Sequence, residues 1–172
     1  NIVIIRPPWF YGPYQPSRQI KFYKMIKDGL VPLVGDGTNV RSMAHTTNIA
    51  QGLIRSAIED KANGQTYWIA DKVPYSFNKI IDTIRKVMEN EFKMNCKSSK
   101  INLPNIASFM AYQLDTLIQN FGLYNKEIHV LSEMNKNIAC SIDKAVSEIN
   151  YHPTYDLYEG TKLSIAEAIS RF

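Results

Sequence analysis

Asn1-Ile2-Val3-Ile4-Ile5-Arg6-Pro7-Pro8-Trp9-Phe10-Tyr11-Gly12-Pro13-Tyr14-Gln15 opens the chain, and the reading of this stretch decides the fold. Ile2 to Ile5 is a continuous, mostly β-branched apolar run, which predicts a strand buried on both faces of a parallel sheet. Pro7 and Pro8 stop it, because neither can donate to a ladder. Such a strand needs neighbours, and the first residue is Asn rather than Met. The sequence is therefore expected to be the C-terminal part of a longer protein.

Working outward, Gln15 to Asp28 reads as a helix closed by Gly29, with Ile20, Tyr23, Met25 and Ile26 on its apolar side. Val31 to Val34 is a short strand, the turn Gly35-Asp36-Gly37-Thr38-Asn39 follows, and Val40 to His45 alternates as a second strand. Thr47 is the expected N-cap of a helix from Asn48 to about Asp60, with Ile49, Leu53, Ile54 and Ala57 on one face. Asn63-Gly64 turns the chain into a strand from Gln65 to Ala70. Ser76 caps a long helix to about Glu91, with Ile80, Ile81, Ile84, Val87 and Met88 at helical spacing. Ile101 to Leu103 is a strand, and Pro104 starts a helix that runs to about Phe121 and ends at Gly122. Lys126 to Met134 is a shorter helix, Ile138 to Ile142 a strand-like piece, and Asp143 to Ile149 a helix. The last helix, Tyr158 to Arg171, turns Leu163, Ile165, Ala166 and Ile169 inward. Alternating strands and helices that give way to helices indicate an α/β class with a mostly helical lobe.

Composition narrows the function classes. With 172 residues and 45% hydrophobic content, the chain can bury one core. No window approaches the ~20 apolar residues of a membrane span, so no membrane segment is expected. The net charge of +4 is spread along the chain without a basic block. That pattern suits an anionic small molecule better than nucleic acid, whose binding needs basic residues gathered on one face. Cys96 and Cys140 stand apart, without CxxC spacing or a neighbouring His. They read as reduced thiols of a cytoplasmic protein, and no metal site is expected.

Arg6-Pro7-Pro8-Trp9-Phe10-Tyr11-Gly12-Pro13, the segment from Gly35-Asp36-Gly37 through Arg41 to Asn48, and the close Ser141-Ile142-Asp143-Lys144-Ala145 to Tyr151-His152-Pro153 together resemble the extended short-chain dehydrogenase/reductases, the NAD-dependent epimerase/dehydratase family. The resemblance runs in order over nearly the whole chain. It implies a two-lobed enzyme in which residues 1–172 form the substrate-binding portion and residues 1–14 are the end of the Rossmann core. NAD or NADP would be held mainly by an N-terminal lobe absent from this chain. The family's catalytic Tyr and Lys precede the opening strand, so this chain by itself is expected to be inactive. The Tyr-x-x-x-Lys pairs Tyr23/Lys27, Tyr75/Lys79 and Tyr158/Lys162 fall where the family has structural elements. Gly35-x-Gly37 has no helix start directly behind it and is not a dinucleotide fingerprint.

The resemblance places Arg41 against a substrate diphosphate, where a guanidinium matches phosphate oxygens with a planar fork of donors. Trp9, Tyr11, Gln19, Val34 and Trp68 fall at substrate-contacting positions, and Pro7 and Pro8 beside the nicotinamide end of the cofactor. Gly12 in Tyr11-Gly12-Pro13 also suits a plain turn, and His45 reads as a packed histidine that closes a strand. Nucleotide-sugar members usually carry Asn at the place of Trp9, often an aromatic residue at Val34, and some Asn at Trp68. A nucleotide sugar is the expected substrate. A less polar substrate, as in the hydroxysteroid dehydrogenase branch, and an inactive NAD(P)-sensing module are the alternatives. A homodimer of the full-length protein is consistent with the family.

Overall fold

The computed structural model describes residues 2–171 and is an α/β fold of short strands and a mostly helical remainder. In chain order the elements are β1 (Ile4–Arg6), β2 (Trp9–Tyr11), α1 (Ser17–Asp28), β3 (Pro32–Val34), β4 (Val40–Arg41), β5 (Met43–His45), α2 (Thr46–Ile58), β6 (Thr66–Trp68), β7 (Tyr75–Ser76), α3 (Phe77–Phe92), β8 (Ile101–Leu103), α4 (Asn105–Asn120), α5 (Lys126–Glu133), α6 (Asp143–Ile149) and α7 (Leu157–Ala168). The strands pair two by two. Parallel pairs join β1 to β6, β2 to β5 and β3 to β8, and an antiparallel pair joins β4 to β7.

The opening strand differs from expectation. Its ladder begins at Ile4 and has β6 on one side, with no partner strand on the other among the described residues. Side chains alternate across a strand. Val3 and Ile5 pack on a small core of Tyr67, Ile69, Ile149 and Tyr151, while Ile2 and Ile4 face outward.

The main core lies between α1, α3 and α7 and under β2, β3 and β5, where Ile20, Tyr23, Ile26, Met43, Ile80, Ile84, Met88 and Ile165 are buried. The long-helix reading holds: Ser76 Oγ accepts from Lys79 N at 3.1 Å, and all five apolar residues expected inward are inside. Gly29 ends α1 in the left-handed region at φ 69°, which brings Leu30 N to Met25 O at 2.8 Å.

Four other readings are corrected by packing. Val40 to His45 breaks into two strands because Ser42 turns aside: its N–H donates to Ile138 O, and its hydroxyl accepts from Cys140 N at 3.0 Å. The segment Ile138 to Ile142 accordingly forms only a single bridge, from Ile138 to Arg41. Helix α2 is capped by His45 rather than Thr47, and it buries Asn48, Gly52 and Ser56 while Leu53, Ile54 and Ala57 face outward. In α7 only Ile165 of the four expected residues is buried, together with the small Gly160, Thr161, Ser164 and Ala168. Leu157 is buried as well, so α7 packs through two large apolar side chains set among small ones.

Candidate functional site

The turn at residues 35–39 is built locally. Asp36 Oδ1 accepts from Thr38 N at 3.0 Å and from the Thr38 hydroxyl at 2.7 Å, and Gly37 at φ 72° leaves room for Asn78, which donates to Asp36 O. The turn delivers Arg41 onto β4, where Nη2 donates to the backbone carbonyl of Glu133 at 2.7 Å. That carbonyl belongs to the last residue of α5, at the negative end of the helix, where acceptors lack intrahelical partners. The arginine is thus aimed by a helix terminus. Burial lowers its pKa and the Glu133 carboxylate opposes that, so it stays a cation.

Arg41 opens into a cavity of about 390 Å³ bounded by α1, α5, the start of α3 and the entry to β3. Trp9 and Gln19 line the same cavity, so three of the residues expected from sequence come together. The Trp9 ring lies 5.5 Å from Phe22, and the two form an apolar wall with Met25 and Val31. Arg18, Phe22 and Met25 on α1, and Lys126, Val130 and Glu133 on α5, also face the cavity; of these the sequence reading names only Met25, as a residue of the helix's apolar side. Their signal was helical spacing, i, i+4 and i+7 on each helix. Three cations (Arg18, Arg41, Lys126) oppose one carboxylate, Glu133. The arrangement suits a ligand with an anionic head and a less polar remainder.

The other expected residues lie elsewhere. Val34 is buried in the core, and on this stretch Val31 and Pro32 face the cavity instead. Trp68 is exposed at the end of β6, with the Arg6 guanidinium 5.8 Å above its ring. Pro7 and Pro8 join β1 to β2 at the C-terminal end of the β1–β6 pair. Tyr158 and Lys162 both bind Glu91, at 2.9 and 2.7 Å, an ordinary helix-to-helix tie.

Tyr11 belongs to a buried polar hub rather than to the cavity. Its hydroxyl donates to Asp71 Oδ2 at 2.7 Å and also lies 2.9 Å from the Asp156 carbonyl. Asp71 Oδ1 accepts from His45 N at 3.0 Å and from Asn48 Nδ2 at 2.9 Å. Asn48 Oδ1 accepts in turn from the N–H groups of Thr154 and Tyr155. Burial raises the Asp71 pKa, and its three donors oppose the rise. Gly160 is required beside the hub, since a Cβ there would meet Tyr11 Cε2 and His45 Cδ2, each at 2.7 Å.

His45 is fully buried. Its Nδ1 accepts from Thr47 N at 3.3 Å, so Nε2 carries the proton of the neutral ring. Burial lowers its pKa from the usual value of about 6.5. The unfolded chain then takes up a proton on this residue at a higher pH than the native one, so the residue's share of stability falls as pH drops below about 6.5. Urea unfolding of the parent and of His45→Asn, which keeps a cap, is expected to show the parent's advantage shrinking between neutral and mildly acid pH. An advantage that stays constant across that range would disprove the assignment.

On α5, His129 Nδ1 lies 2.8 Å from Asp115 Oδ2. A carboxylate can only accept, so Nδ1 carries the proton. This pairing, followed by Gln119, holds the Asp115 carboxyl below the usual carboxylate range.

No protein-family model matches the chain. It is 47% identical over 165 residues to the uncharacterized protein y4nL of Sinorhizobium fredii, covering 96% of this chain and 46% of that protein. Over 105 residues it is 30% identical to the N-acetyl-alpha-D-glucosaminyl-diphospho-ditrans,octacis-undecaprenol 4-epimerase of Escherichia coli O157:H7, covering 60% of this chain and 30% of that enzyme. Among solved structures, UDP-glucuronic acid 4-epimerase of Bacillus cereus in complex with UDP-glucuronic acid and NAD superposes with a TM-score of 0.65 at 20% identity, over 99% of this chain and 46% of that one. The chain thus spans about half the length, or less, of the proteins it matches. It has the fold of the matching part of that Bacillus cereus protein.

Proposed function

We propose that this chain is the substrate-binding part of an NAD(P)-dependent epimerase or dehydratase acting on a sugar diphosphate. The observation that carries the reading is Arg41, aimed by the end of α5 into a cavity with Arg18 and Lys126 on its walls. Such a cluster complements the two anionic groups of a diphosphate, and the fork of Arg41 can grip one of them with two hydrogen bonds. The fold shared with the Bacillus cereus enzyme supports the family, and the Escherichia coli relative supports a diphosphate-linked sugar.

Trp9, Phe22, Met25 and Val31 make one side of this cavity apolar. That wall favours a carrier less polar than a nucleotide, such as the polyprenyl diphosphate named for the Escherichia coli relative. A nicotinamide cofactor does not fit the residues present, because the sequence has no Gly-x-Gly-x-x-Gly to hold its pyrophosphate. The cofactor would be held outside these residues, so the hydride step is not assigned to them. Their part is to bind the substrate and hold its sugar in a fixed pose, which lowers the barrier through orientation.

Calorimetric titration of the whole gene product with UDP-N-acetylglucosamine and with a short-chain prenyl-diphospho-N-acetylglucosamine tests the reading. Binding of the prenyl compound in preference to the nucleotide sugar is expected, with Trp9→Asn narrowing the gap. Failure of both compounds to bind would remove the sugar-diphosphate assignment.

A further inference from the structure

We propose that His129 is a second anion contact of the Arg41 cavity, one that grips the ligand's diphosphate only when its ring carries a second proton. The residue sits on the cavity side of α5, where Lys126, His129, Val130 and Glu133 line the wall at i, i+3, i+4 and i+7. Arg41 meets the same helix one turn further on, at the Glu133 carbonyl.

The ring is pinned through one of its nitrogens. Nδ1 lies 2.8 Å from Asp115 Oδ2, an oxygen that also accepts from Gln119 Nε2 at 2.9 Å. Asp115 is 5% exposed on the buried side of α4, and the Tyr124 ring packs 5.6 Å from the imidazole, centroid to centroid. Nε2 makes no hydrogen bond among the described residues, although the His129 side chain is 38% exposed and open to a ligand. Asp115 lines a neighbouring cavity of about 280 Å³ between α4 and α5, not the Arg41 cavity, whereas His129 lines both. With Nδ1 turned to Asp115, the Nε2 edge is the one left for the Arg41 cavity. A ring held this way is oriented before the ligand arrives, so binding spends little on ordering it.

With its proton on Nδ1, the neutral ring offers Nε2 only as an acceptor, and a phosphate oxygen has nothing to donate to it. A second proton turns Nε2 into a charged donor, and charge-assisted bonds to phosphate are among the stronger hydrogen bonds. Imidazole is the side chain that ordinarily gains this proton between pH 5 and 8. The other charged and titratable groups that line the two cavities or pack on the ring come from several elements. They are Asp115 and Tyr112 on α4, Lys126 and Glu133 on α5, Tyr124 and Lys136 at its two ends, Arg41 on β4 and Arg18 on α1. His129 is the one imidazole in this set, and carboxyl, phenol, ammonium and guanidinium groups ordinarily titrate outside that range. Diphosphate binding therefore strengthens as pH falls through the imidazole range. The ligand is the sugar diphosphate of the function proposed above, on which this inference rests.

Calorimetric titration of the whole gene product with the short-chain prenyl-diphospho-N-acetylglucosamine, at about pH 8 and about pH 5.5, tests it. This ligand is a diphosphate diester, so its own charge stays constant between the two. The parent is expected to bind about fivefold or more tightly at the acid pH, toward the lower end for a charged hydrogen bond at a part-exposed group. His129→Gln is expected to lose that gain. His129→Lys, which carries a fixed charge, is expected to bind equally at both pH values and more tightly than His129→Gln. Arg41→Ala is expected to bind more weakly at both and to keep the acid gain. Urea unfolding at each pH checks that the variants are folded. A parent affinity that does not change with pH, or a gain that survives in His129→Gln, would overturn this proposal and leave the Arg41 reading standing. Absence of binding at either pH would remove the sugar-diphosphate reading and this contact with it.

Discussion

Arg41→Ala in the whole protein is expected to weaken sugar-diphosphate binding about 10- to 150-fold, the equivalent of ~1.5–3 kcal/mol for hydrogen bonds to a charged group. The substitution removes the guanidinium that faces the cavity and leaves Trp9, Gln19 and the apolar wall in place. It also removes one donor to the Glu133 carbonyl, but that carbonyl keeps the Lys136 N–H at 3.0 Å. Thermal unfolding should therefore shift little. Arg41→Lys is expected to recover only part of the affinity, because an ammonium is a point charge and cannot reproduce the planar fork. Titration of the three proteins with one sugar diphosphate decides the matter. Equal affinity in all three would end the diphosphate assignment.

Asp71→Ala is expected to cost about 3–5 kcal/mol of stability, enough to unfold much of a marginally stable domain. The carboxylate accepts from Tyr11, His45 and Asn48, and all three donors are buried with it. Deleting the acceptor strands the His45 N–H and leaves Tyr11 and Asn48 with only their bonds to the carbonyls of Asp156 and Tyr155, a loss larger than that of one hydrogen bond. Asp71→Asn keeps one acceptor oxygen and is expected to fall between parent and Ala. Urea unfolding curves report the difference, and an Asp71→Ala protein within about 1 kcal/mol of the parent would refute the role of this hub.

Neither Asp71 nor Asn48 stands out in the sequence, since each is one polar residue among many. The hub exists because β2, β5, α2 and the loop before α7 meet there, and its bonds join residues as far apart as Tyr11 and Asp156. Arg41 was legible for the opposite reason. Its position follows from a turn whose chemistry (Gly35, Asp36, Gly37, Thr38) is written within a few residues. The cavity was half legible: Trp9 and Gln19 were named, whereas Lys126 and Glu133 approach from a helix some ninety residues away.

By itself the sequence determined those element ends that local chemistry sets, because prolines, glycines and capping hydroxyls act over three or four residues. The start of α3 at Ser76, the end of α1 at Gly29, and β8 at Ile101–Leu103 all follow from such local chemistry. Only the tertiary structure decided which side of each element is covered. Periodicity marks an apolar face, but whether protein or something else covers that face depends on what packs against it. Thus α3 turns its stripe inward on α1 and α7, while α2 and α4 bury Gly, Ser, Ala and polar side chains and present their large apolar residues outward. Along residues 31–34 the same limit decides that Val34 is covered by the core alone while Val31 and Pro32 also line the cavity.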